Sequence, residues 1–366
     1  MMPTINQYYP GLEKIPWISL GEYPTRVEKL EKMGEARGFS NLYIKRDDCC
    51  NPVYGGNKVR KLEYLLADAQ RKRKKTLITL GCAGSNQVLA TGIFGGELGF
   101  DVVGIMLDQP NTIYVRENLL LDKHYNVKLV HAKDTVAEVT AFTSQYIKAV
   151  LSGGKPYFVT AGASNEIGNM SFVNASFELK EQIENGDTPE PDYIVVACGS
   201  IGTAAGLTLG CRLAGLDTKV IGVRVAMSWL VTKWRMRRMI RDINKYMRKF
   251  DQSVPLLDVK EDELILLEDY LGKEYACFTD CGCQCVDDMR ELEDIKLEQT
   301  YTGKALGGGL EWLKKNGETD ANILFWNTYN SIDLSEKTAN ITYDELPKQF
   351  HKYFTEPVQE ETWERG

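Results

Sequence analysis

The chain has 366 residues, of which 43% are apolar and 26% charged, with 44 Lys and Arg against 51 Asp and Glu. At roughly 150 residues per domain, this length predicts one large or two medium domains with ample core. The net charge of −7 argues against nucleic-acid binding, which needs a basic surface. No stretch approaches the roughly 20 apolar residues of a membrane span, and the first residues lack the apolar core of a signal peptide. We therefore expect no membrane partner.

The histidine and cysteine content narrows the chemistry further. Only three histidines occur, and none forms an HExxH-type pair, which argues against a zinc hydrolase or a Ser-His-Asp enzyme. The nine cysteines are irregularly spaced, which favours a reduced cytoplasmic protein over a disulfide scaffold. If the chain is an enzyme, groups other than histidine must handle the protons.

Short apolar, β-branched segments alternate with stretches of helical period along the chain. The predicted strands are Thr76–Leu80, Val102–Leu107, Val127–Val130, Tyr157–Thr160, Tyr193–Cys198, Val220–Val225 and Ile323–Trp326. This alternation predicts an α/β fold with a mostly parallel sheet covered on both faces. Ligands of such sheets bind beyond the carboxyl ends of the strands, so the loops at that edge are the candidate sites.

Two glycine-rich loops point to a phosphate and to a reactive lysine. The loop Gly199–Thr203 follows a predicted strand and opens a helix, which favours one phosphate, although it could be a plain tight turn. Lys58 follows two glycines and an Asn in the first turn of another helix. The helix end and the nearby Arg60 and Lys61 should lower its pKa, as a Schiff-base lysine requires. A solvated surface lysine is the alternative.

Two further loops carry candidate substrate contacts. Ser85, Asn86 and Gln87 begin a helix whose backbone N–H groups could hold a carboxylate, while Asn86 could bind a phenolic oxygen. Ordinary helix capping is the alternative for this loop. Tyr301 lies three residues before Lys304 and could act as an acid or base if its pKa were perturbed. A turn with a partly buried tyrosine is the alternative there.

Taken together, these motifs resemble the pyridoxal-phosphate enzymes of the tryptophan-synthase-β fold type. Within that group the chain is similar to the 1-aminocyclopropane-1-carboxylate deaminase / D-cysteine desulfhydrase family. The matching stretches are LYIKRDD, GGNKVRKLEYLLADA, GSNQ, GASNEIGNMSFVNASFEL, CGSIGTAAGL, LEDYLGKEYA and YTGKALGG. They keep the family's order and spacing over nearly the whole fold. The Asn before the lysine separates this family from relatives that carry Ser-x-Lys there.

The resemblance implies a fold and an assembly. It implies two open, mostly parallel, twisted sheets flanked by helices, known as fold type II. We expect a large cofactor-binding domain from residues 1–59 and 169–330, a small inserted domain from 60–168, and a C-terminal extension from 331–366. The resemblance also implies a homodimer that acts on a small amino acid.

The resemblance implies pyridoxal 5'-phosphate as cofactor, no metal, and roles for individual residues. Lys58 would hold the cofactor through its amine, and Asn86 would contact the cofactor's 3′-oxygen. Tyr301 would stand at the reacting carbon, while Ser85 and Gln87 would line the substrate side, with Ser85 among the catalytic residues. The residues expected to bind the rest of the cofactor are Gly199, Ser200, Ile201, Gly202 and Thr203 for its phosphate, and Thr302 or Thr328 for its pyridine nitrogen.

The residue after Tyr301 bears on the reaction. Deaminases of this family carry Glu there, giving YEGK, whereas this chain has Thr302, and its Thr328 matches the family's desulfhydrases. A neutral partner leaves the pyridine weakly basic, which suffices for β-elimination. We therefore expect β-elimination, with D-cysteine converted to pyruvate, ammonia and sulfide. The open alternatives are another β-substituted substrate such as cysteate, 1-aminocyclopropane-1-carboxylate deamination, and a catalytically idle sensor that binds pyridoxal phosphate.

Some features lie outside the resemblance. Asn327–Asn330 replaces the family's usual His-Thr-Gly-Gly and adds bulk where the cofactor ring should lie. A cluster of four cysteines could bind a soft metal, sense redox state or be inert: Cys277, Cys281, Cys283 and Cys285. The basic stretch Lys233–Lys249 predicts a solvated helix or one that steers anionic substrates. The residues after Trp326 could pack on the body, cover the site or bridge subunits.

Overall fold

A computed structural model describes residues 2–364, and the chain in it forms two compact units. The first unit contains the residues up to 64 together with residues 164–332. The second unit contains residues 65–163 together with those from 333 onward. The chain passes between the units after residues 64, 163 and 332, and the C-terminal extension belongs to the second unit from residue 333 onward.

All seven predicted strands are present, with ends shifted by a few residues, and three further strands are short. In the described residues the strands are β1 (Val27–Lys29), β2 (Leu42–Lys45), β3 (Thr76–Cys82), β4 (Asp101–Leu107), β5 (Lys128–Ala132), β6 (Pro156–Val159), β7 (Tyr193–Cys198), β8 (Lys219–Arg224), β9 (Ile265–Leu267) and β10 (Ile323–Trp326). The three that sequence patterns missed, β1, β2 and β9, have only three or four residues.

Helices connect these strands. They are α1 (Ile5–Tyr8), α2 (Glu31–Arg37), α3 (Asn57–Arg71), α4 (Asn86–Glu97), α5 (Ile113–His124), α6 (Thr135–Leu151), α7 (Glu166–Glu184), α8 (Gly202–Ala214), α9 (Lys233–Arg248), α10 (Asp280–Glu293), α11 (Thr302–Lys315), α12 (Ser335–Thr338), α13 (Lys352–Thr355) and α14 (Gln359–Thr362). No helix among residues 2–364 combines the length and the apolar character that crossing a membrane requires.

The first unit is built on a six-stranded sheet in the order β1-β2-β10-β7-β8-β9. All neighbouring strands are parallel except β1, which is antiparallel to β2. Side chains of β7 alternate between two cores, because successive residues of a strand point to opposite faces. Ile194 and Val196 pack in the core that contains α7, α8 and α9, whereas Tyr193 and Val195 pack in the core that contains α2, α10 and α11. The sheet is thus covered on both faces, as predicted.

The basic stretch forms α9, and it is amphipathic as the sequence predicted. Its buried side chains are Met236, Ile240, Ile243, Asn244 and Met247. The apolar members of this row join the first of the two cores. The basic residues of α9 lie on its other faces, so the helix packs through a single stripe.

The second unit contains a four-stranded sheet in the order β5-β4-β3-β6, with every neighbouring pair parallel. A core of Ile78, Val103, Ile105 and Ala132 lies on this sheet. The C-terminal helices α12 and α13 pack against α5 of the same unit. The C-terminal extension therefore packs on this unit's own body, one of the three arrangements that the sequence left open.

A buried ion cluster centred on Arg60 lies inside the first unit. The Arg60 guanidinium donates two hydrogen bonds of 2.8 Å to Asp47 and one of 2.7 Å to Glu178. The Lys45 ammonium donates to Glu178 at 2.7 Å, and the Trp326 indole N–H donates to Asp47 at 2.7 Å. All five side chains are almost inaccessible to solvent. The cluster therefore ties α3 to β2, α7 and β10 through paired charges.

The cluster stays ionised because its charges are matched. Burial alone would raise the pKa of the Glu178 carboxyl, but Arg60 and Lys45 lower it to about 2. A carboxyl whose folded pKa is depressed stabilises the fold above its unfolded pKa, and this contribution is lost as the pH falls toward the folded value. The cluster should therefore hold throughout the neutral range and fail only in strong acid.

Arg60→Met removes one partner and leaves two buried carboxylates without their main counter-charge. Breaking such a cluster costs about 3–5 kcal/mol, which corresponds to a fall of about 10 °C in Tm for a unit of this size. Arg26→Met is the matched control, because Arg26 pairs with Glu28 on the surface, where an ion pair contributes less than about 1 kcal/mol. Differential scanning calorimetry measures both. Equal Tm values for the two variants would contradict the structural role of the cluster.

Candidate active site

Three adjacent strands of the first unit bring the predicted site loops to one edge of the sheet. β2, β10 and β7 are neighbours and run parallel, with Trp326 opposite Lys45 and Phe325 opposite Val195. The segments that follow them therefore leave from the same carboxyl edge. They are residues 46–56, residues 327–330 and the Gly199–Thr203 loop, and this edge is where ligands of parallel sheets bind.

The glycine turn that starts α3 lies directly on the segment after β10. Gly56 has a φ of +94°, and a Cβ on it would stand 2.7 Å from the carbonyl oxygen of Thr328. The backbone N–H of Asn57 donates to that same oxygen at 3.2 Å. The N–H of Gly55 donates to the side-chain oxygen of Asn330 at 2.7 Å. Only glycine fits this close approach, which fixes the place where α3 begins.

Lys58 is the second residue of α3 and is partly buried at this edge. Burial lowers the pKa of its ammonium to about 8, because the charged form loses hydration. Among residues 2–364 it makes no hydrogen bond and no ion pair. A substantial fraction of the amine is therefore neutral near physiological pH, as a nucleophilic lysine requires. The predicted lowering of the Lys58 pKa is confirmed in direction. Its cause is burial and not the charge of Arg60, because Arg60 is paired with carboxylates.

Lys61 reaches toward the Gly199–Thr203 loop from the same helix. Its ammonium donates to the Ser164 hydroxyl at 3.0 Å, and that hydroxyl lies 2.7 Å from the hydroxyl of Ser200. Burial holds the pKa of Lys61 well below its usual range, and the charge of Lys58 adds to this effect. Sequence reasoning treated Lys61 only as a neighbouring charge. Its position three residues after Lys58 places both on one side of the helix, and this spacing was the available signal.

The Gly199–Thr203 loop has the strained backbone of a tight binding loop. Ile201 adopts a left-handed conformation with a φ of +67°, which is uncommon for a residue with a branched side chain. A Cβ on Gly202 would stand 2.0 Å from the side-chain oxygen of Asn169, which is buried and without a hydrogen-bond donor in the described chain. The backbone at the start of α8 therefore packs more closely than any residue but glycine allows.

This loop also contacts two other predicted site segments. The Asn57 side-chain amide donates to the Thr203 hydroxyl at 3.0 Å, which joins the start of α3 to the start of α8. A Cβ on Gly199 would stand 3.4 Å from the ring of Tyr301. The structure therefore brings together the lysine turn, the Gly199–Thr203 loop and Tyr301 within the first unit.

Tyr301 ends the loop before α11, and its hydroxyl contacts the hydroxyl of Tyr275. The two ring centroids are 6.2 Å apart. Tyr275 was not among the predicted site residues, although it lies in one of the stretches that carry the family resemblance. Lys304 donates to the Leu271 carbonyl oxygen at 2.6 Å, and burial lowers its pKa to about 8.

The buried carboxylate of Glu298 shapes the Tyr301 loop, and no sequence motif announced it. It accepts backbone N–H bonds from Thr300, Tyr301 and Thr302 at 2.7–2.9 Å. The Thr302 hydroxyl donates to this carboxylate at 3.1 Å and accepts from the Glu298 backbone N–H at 2.9 Å. Thr302 is thus buried, and its hydroxyl is already hydrogen-bonded to Glu298. Thr328 is partly exposed, and its hydroxyl makes no hydrogen bond within the described residues.

The predicted substrate loop belongs to the second unit, at the carboxyl end of β3. Ser85 caps α4, because its hydroxyl accepts from the backbone N–H of Val88 at 3.3 Å. The side-chain oxygen of Asn86 accepts from the Asn118 amide at 3.0 Å. Gln87 is buried and donates to Thr91 at 2.7 Å. Capping therefore accounts for Ser85 locally, and the roles in substrate binding stay predictions.

The cysteine cluster packs between two helices. A Cβ on Gly307 of α11 would stand 2.3 Å from the sulfur of Cys281 and 3.2 Å from that of Cys285. Burial raises the pKa of the Cys285 thiol to about 12, so it stays protonated. All nine cysteines are free thiols. Within residues 2–364, no group of three or more His, Cys, Asp and Glu side chains is arranged to hold a metal ion.

Comparison with known families matches residues 18–328 to the model of the pyridoxal-phosphate dependent enzymes. The first unit's geometry fits this cofactor. Lys58 supplies an unpaired amine with a lowered pKa, and the tight turn before α8 leaves no room for a side chain on Gly202. Lys61, Ser164 and Ser200 form a connected polar row next to that turn. These residues would hold the cofactor's aldehyde carbon and its phosphate.

Individual relatives agree with this family. A provisionally named 1-aminocyclopropane-1-carboxylate deaminase of Pyrococcus furiosus is 33% identical over 87% of this chain and 92% of its own length. A D-cysteine desulfhydrase of Salmonella newport is 31% identical over 87% and 94%.

Solved structures show the same fold. That of an ACC (1-aminocyclopropane-1-carboxylate) deaminase homologue matches with a TM-score of 0.76 and 30% identity, covering 93% of this chain and all of the other. An O-acetyl serine sulfhydrylase from Entamoeba histolytica, at 17% identity, covers 88% of each chain and shares the fold with a TM-score of 0.58. The chain belongs to the pyridoxal-phosphate-dependent enzymes of fold type II, in the group whose members are named 1-aminocyclopropane-1-carboxylate deaminase and D-cysteine desulfhydrase.

Proposed function

We propose that this enzyme catalyses β-elimination on a small β-substituted amino acid, with D-cysteine as the preferred substrate. One D-cysteine and one water would give pyruvate, ammonia and hydrogen sulfide. The relative named D-cysteine desulfhydrase supports this substrate. The observation that carries the choice of reaction is the state of Thr302.

Thr302 leaves no room for the acidic partner that the family's deaminases carry at this position. Its side chain is buried and hydrogen-bonded to the Glu298 carboxylate. A carboxyl at residue 302 would lie against the Glu298 carboxyl, whose pKa burial already raises, and two buried carboxyls in contact cannot both stay ionised. A neutral environment for the pyridine nitrogen follows, and it suits elimination of a good leaving group better than opening of a carbon ring.

The first unit supplies the groups that would hold the cofactor. The Lys58 amine would carry it, the N–H groups of the Gly199–Thr203 loop and the Lys61 ammonium would bind its phosphate, and Thr328 would face its pyridine nitrogen. Bound pyridoxal phosphate supplies the electron sink that stabilises a carbanion at the substrate's Cα.

Lys58 and Tyr301 are the candidate proton carriers. With the cofactor bound, the neutral Lys58 amine, or the Tyr301 oxygen once it has given up its own proton, would remove the Cα proton, and the thiolate would leave from the β-carbon. Tyr275 touches the Tyr301 hydroxyl and can orient it or exchange a proton with it. Ser85 and Gln87 would line the substrate side and Asn86 would contact the cofactor's 3′-oxygen, as the family resemblance implies, while the backbone N–H groups at the start of α4 would bind the substrate carboxylate. The released enamine takes up water to give pyruvate and ammonia.

The segment after β10 carries the two residues that replace the family's glycines, Tyr329 and Asn330. Tyr329 is buried, with the Lys296 ammonium 5.6 Å from its ring centroid, and Asn330 is held by Gly55 and by the Ile332 carbonyl oxygen. Tyr329 is therefore accommodated by packing, and Asn330 by hydrogen bonds that include the glycine turn at the start of α3. This arrangement is compatible with D-cysteine, while cysteate remains the strongest competitor among β-substituted substrates.

A substrate panel tests the reaction. We expect faster keto-acid release from D-cysteine than from L-cysteine, cysteate, chloroalanine or 1-aminocyclopropane-1-carboxylate. The product should be pyruvate, whereas 2-oxobutyrate would mark opening of the cyclopropane ring. Lys58→Ala should lower kcat by about a thousandfold or more and remove the visible absorbance band, while the exposed Lys314→Ala should change neither. Bound cofactor without turnover on any member of the panel would support the idle sensor instead.

The lowered pKa of Lys58 predicts how cofactor uptake depends on pH. The neutral amine is the nucleophile, so uptake by the apo-enzyme should rise about tenfold per pH unit below pH 8 and level off above it. The rise of the absorbance band in stopped-flow mixing gives the rate. The control is the free amino acid lysine with its α-amine blocked, so that only the side-chain amine can react. Its rate should keep rising to about pH 10. A Lys58 profile that follows this control would contradict the burial of its amine.

We also propose a homodimer in the cytoplasm, as the resemblance implies. The free cysteines suit a reducing compartment. Helix α6 exposes apolar side chains, among them Val139 and Ile147, and apolar patches of this kind mark contact surfaces.

Light scattering tests the assembly. The wild type should have twice the 41.3 kDa mass of one chain, and a variant with both Val139→Glu and Ile147→Glu should shift toward one chain. A wild-type mass of a single chain would contradict the dimer.

A further inference from the structure

The described part of the C-terminal extension that belongs to the second unit, residues 333–364, lies beyond the residues that the family model matches. It belongs to the second unit, and four of its side chains are almost completely buried there: Leu346, Phe350, Tyr353 and Val358. The ring of Phe350 meets that of His131 edge to face, with centroids 5.7 Å apart. The extension is therefore docked through a small apolar core of its own.

Tyr353 is the polar centre of this contact. Its ring is only 2% exposed, and its hydroxyl accepts from the backbone N–H of Gln109 at 3.1 Å. The same hydroxyl donates to the Asp108 carboxylate at 3.0 Å, which also pairs with Lys352 at 2.8 Å. The extension thus binds both residues that follow β4, through main chain and side chain.

A second set of bonds secures the same segment by its backbone. Asn111 and Arg116 both donate to the carbonyl oxygen of Tyr353, at 2.9 and 2.7 Å. The backbone N–H of Gln359 donates to the Asn111 carbonyl oxygen at 3.0 Å. The extension therefore holds the segment 108–112 in place through several independent hydrogen bonds.

The other side of this segment holds the Gly84–Gln87 loop. The side-chain oxygen of Gln109 accepts the backbone N–H of Gly84 at 3.1 Å, and its amide donates to the Tyr114 hydroxyl at 2.9 Å. Asn118 donates to the Gly84 carbonyl oxygen at 2.9 Å and to the Asn86 side-chain oxygen. The N–H and the carbonyl oxygen of Gly84 are thus both hydrogen-bonded, and Gln109 links the Gly84 N–H to Tyr353.

We propose that Tyr353 and Gln109 are positioning residues, through which the C-terminal extension sets the affinity of the Gly84–Gln87 loop for the carboxylate of an amino acid. This rests on the proposed role of that loop in binding substrate. Backbone N–H groups bind an anion well only when they are held in the right direction before it arrives. The hydrogen-bonded path from Tyr353 through Gln109 to Gly84 provides this fixation.

Tyr353→Phe in the holoenzyme tests the proposal, because it removes one hydroxyl and keeps the buried ring. Tyr343→Phe is the matched control, since the Tyr343 ring stacks on Phe354 in the same extension and its hydroxyl makes no hydrogen bond within residues 2–364. The probe is D- or L-alanine, which has the amine and carboxylate but no leaving group. Its apparent Kd, from the shift of the cofactor absorbance band, should rise about five- to tenfold in Tyr353→Phe and less than twofold in the control.

Two further readouts separate positioning from mere stability. Hydrogen exchange of a peptide covering residues 82–90 should be faster in Tyr353→Phe than in the control, because the Gly84 N–H is held less firmly. In turnover, KM should rise while kcat changes less than about threefold. Unchanged exchange would overturn the proposal, and so would faster exchange with an unchanged Kd for alanine.

Gln109→Met provides an independent variant, since it removes the acceptor for Gly84 and leaves the backbone N–H that binds Tyr353. Its effect on alanine binding should match that of Tyr353→Phe, and the double variant should be less than additive, because both act through one path. Full additivity would overturn the path. Alanine binding and exchange do not depend on elimination, so failure of the proposed reaction would appear separately, as bound alanine without keto acid from any substrate.

Discussion

A buried ion cluster centred on Arg60 holds the first unit together around the helix that carries Lys58. It is made of matched charges from β2, α3 and α7, and the indole of Trp326 in β10 completes it. Such clusters contribute little net stability compared with apolar packing, but removing one partner is severely destabilising. The cluster therefore acts as a constraint on geometry, because α3 fits only where Arg60 meets both carboxylates. Lys58, which precedes Arg60 by two residues on α3, therefore lies at the carboxyl edge of the sheet.

The chemistry of the site follows from what surrounds that lysine. The glycine turn before α3 touches the segment after β10, and Asn57 reaches Thr203, so three loops are fixed against each other. Glu298 shapes a fourth loop, the one before α11, because its carboxylate accepts hydrogen bonds from three consecutive backbone N–H groups. The same carboxylate also accepts a hydrogen bond from the Thr302 hydroxyl. One buried carboxylate thus both places Tyr301 and keeps an acidic side chain away from residue 302. Our proposal of β-elimination rests on this arrangement.

Sequence patterns predicted the fold well where a periodic or glycine-rich signal exists. The seven predicted strands, the turn at Lys58 and the loop at Gly199 were found because apolar runs and glycines mark them directly. β2 was missed because it ends in Lys45, whose burial depends on a distant carboxylate, Glu178. Glu298 and Lys61 look like ordinary surface charges in the sequence, and their roles depend on tertiary contacts. The support that Tyr353 gives to Gly84 joins residues some 270 positions apart, and no local pattern encodes it.

We propose that Lys58 carries the cofactor, although burial also lowers the pKa of Lys45, Lys61 and Lys304. Borohydride reduction of the holoenzyme fixes the cofactor to whichever lysine holds it, and peptide mass spectrometry then identifies that residue. We expect the modification on Lys58 alone. Modification of another lysine, or of no lysine, would contradict this assignment.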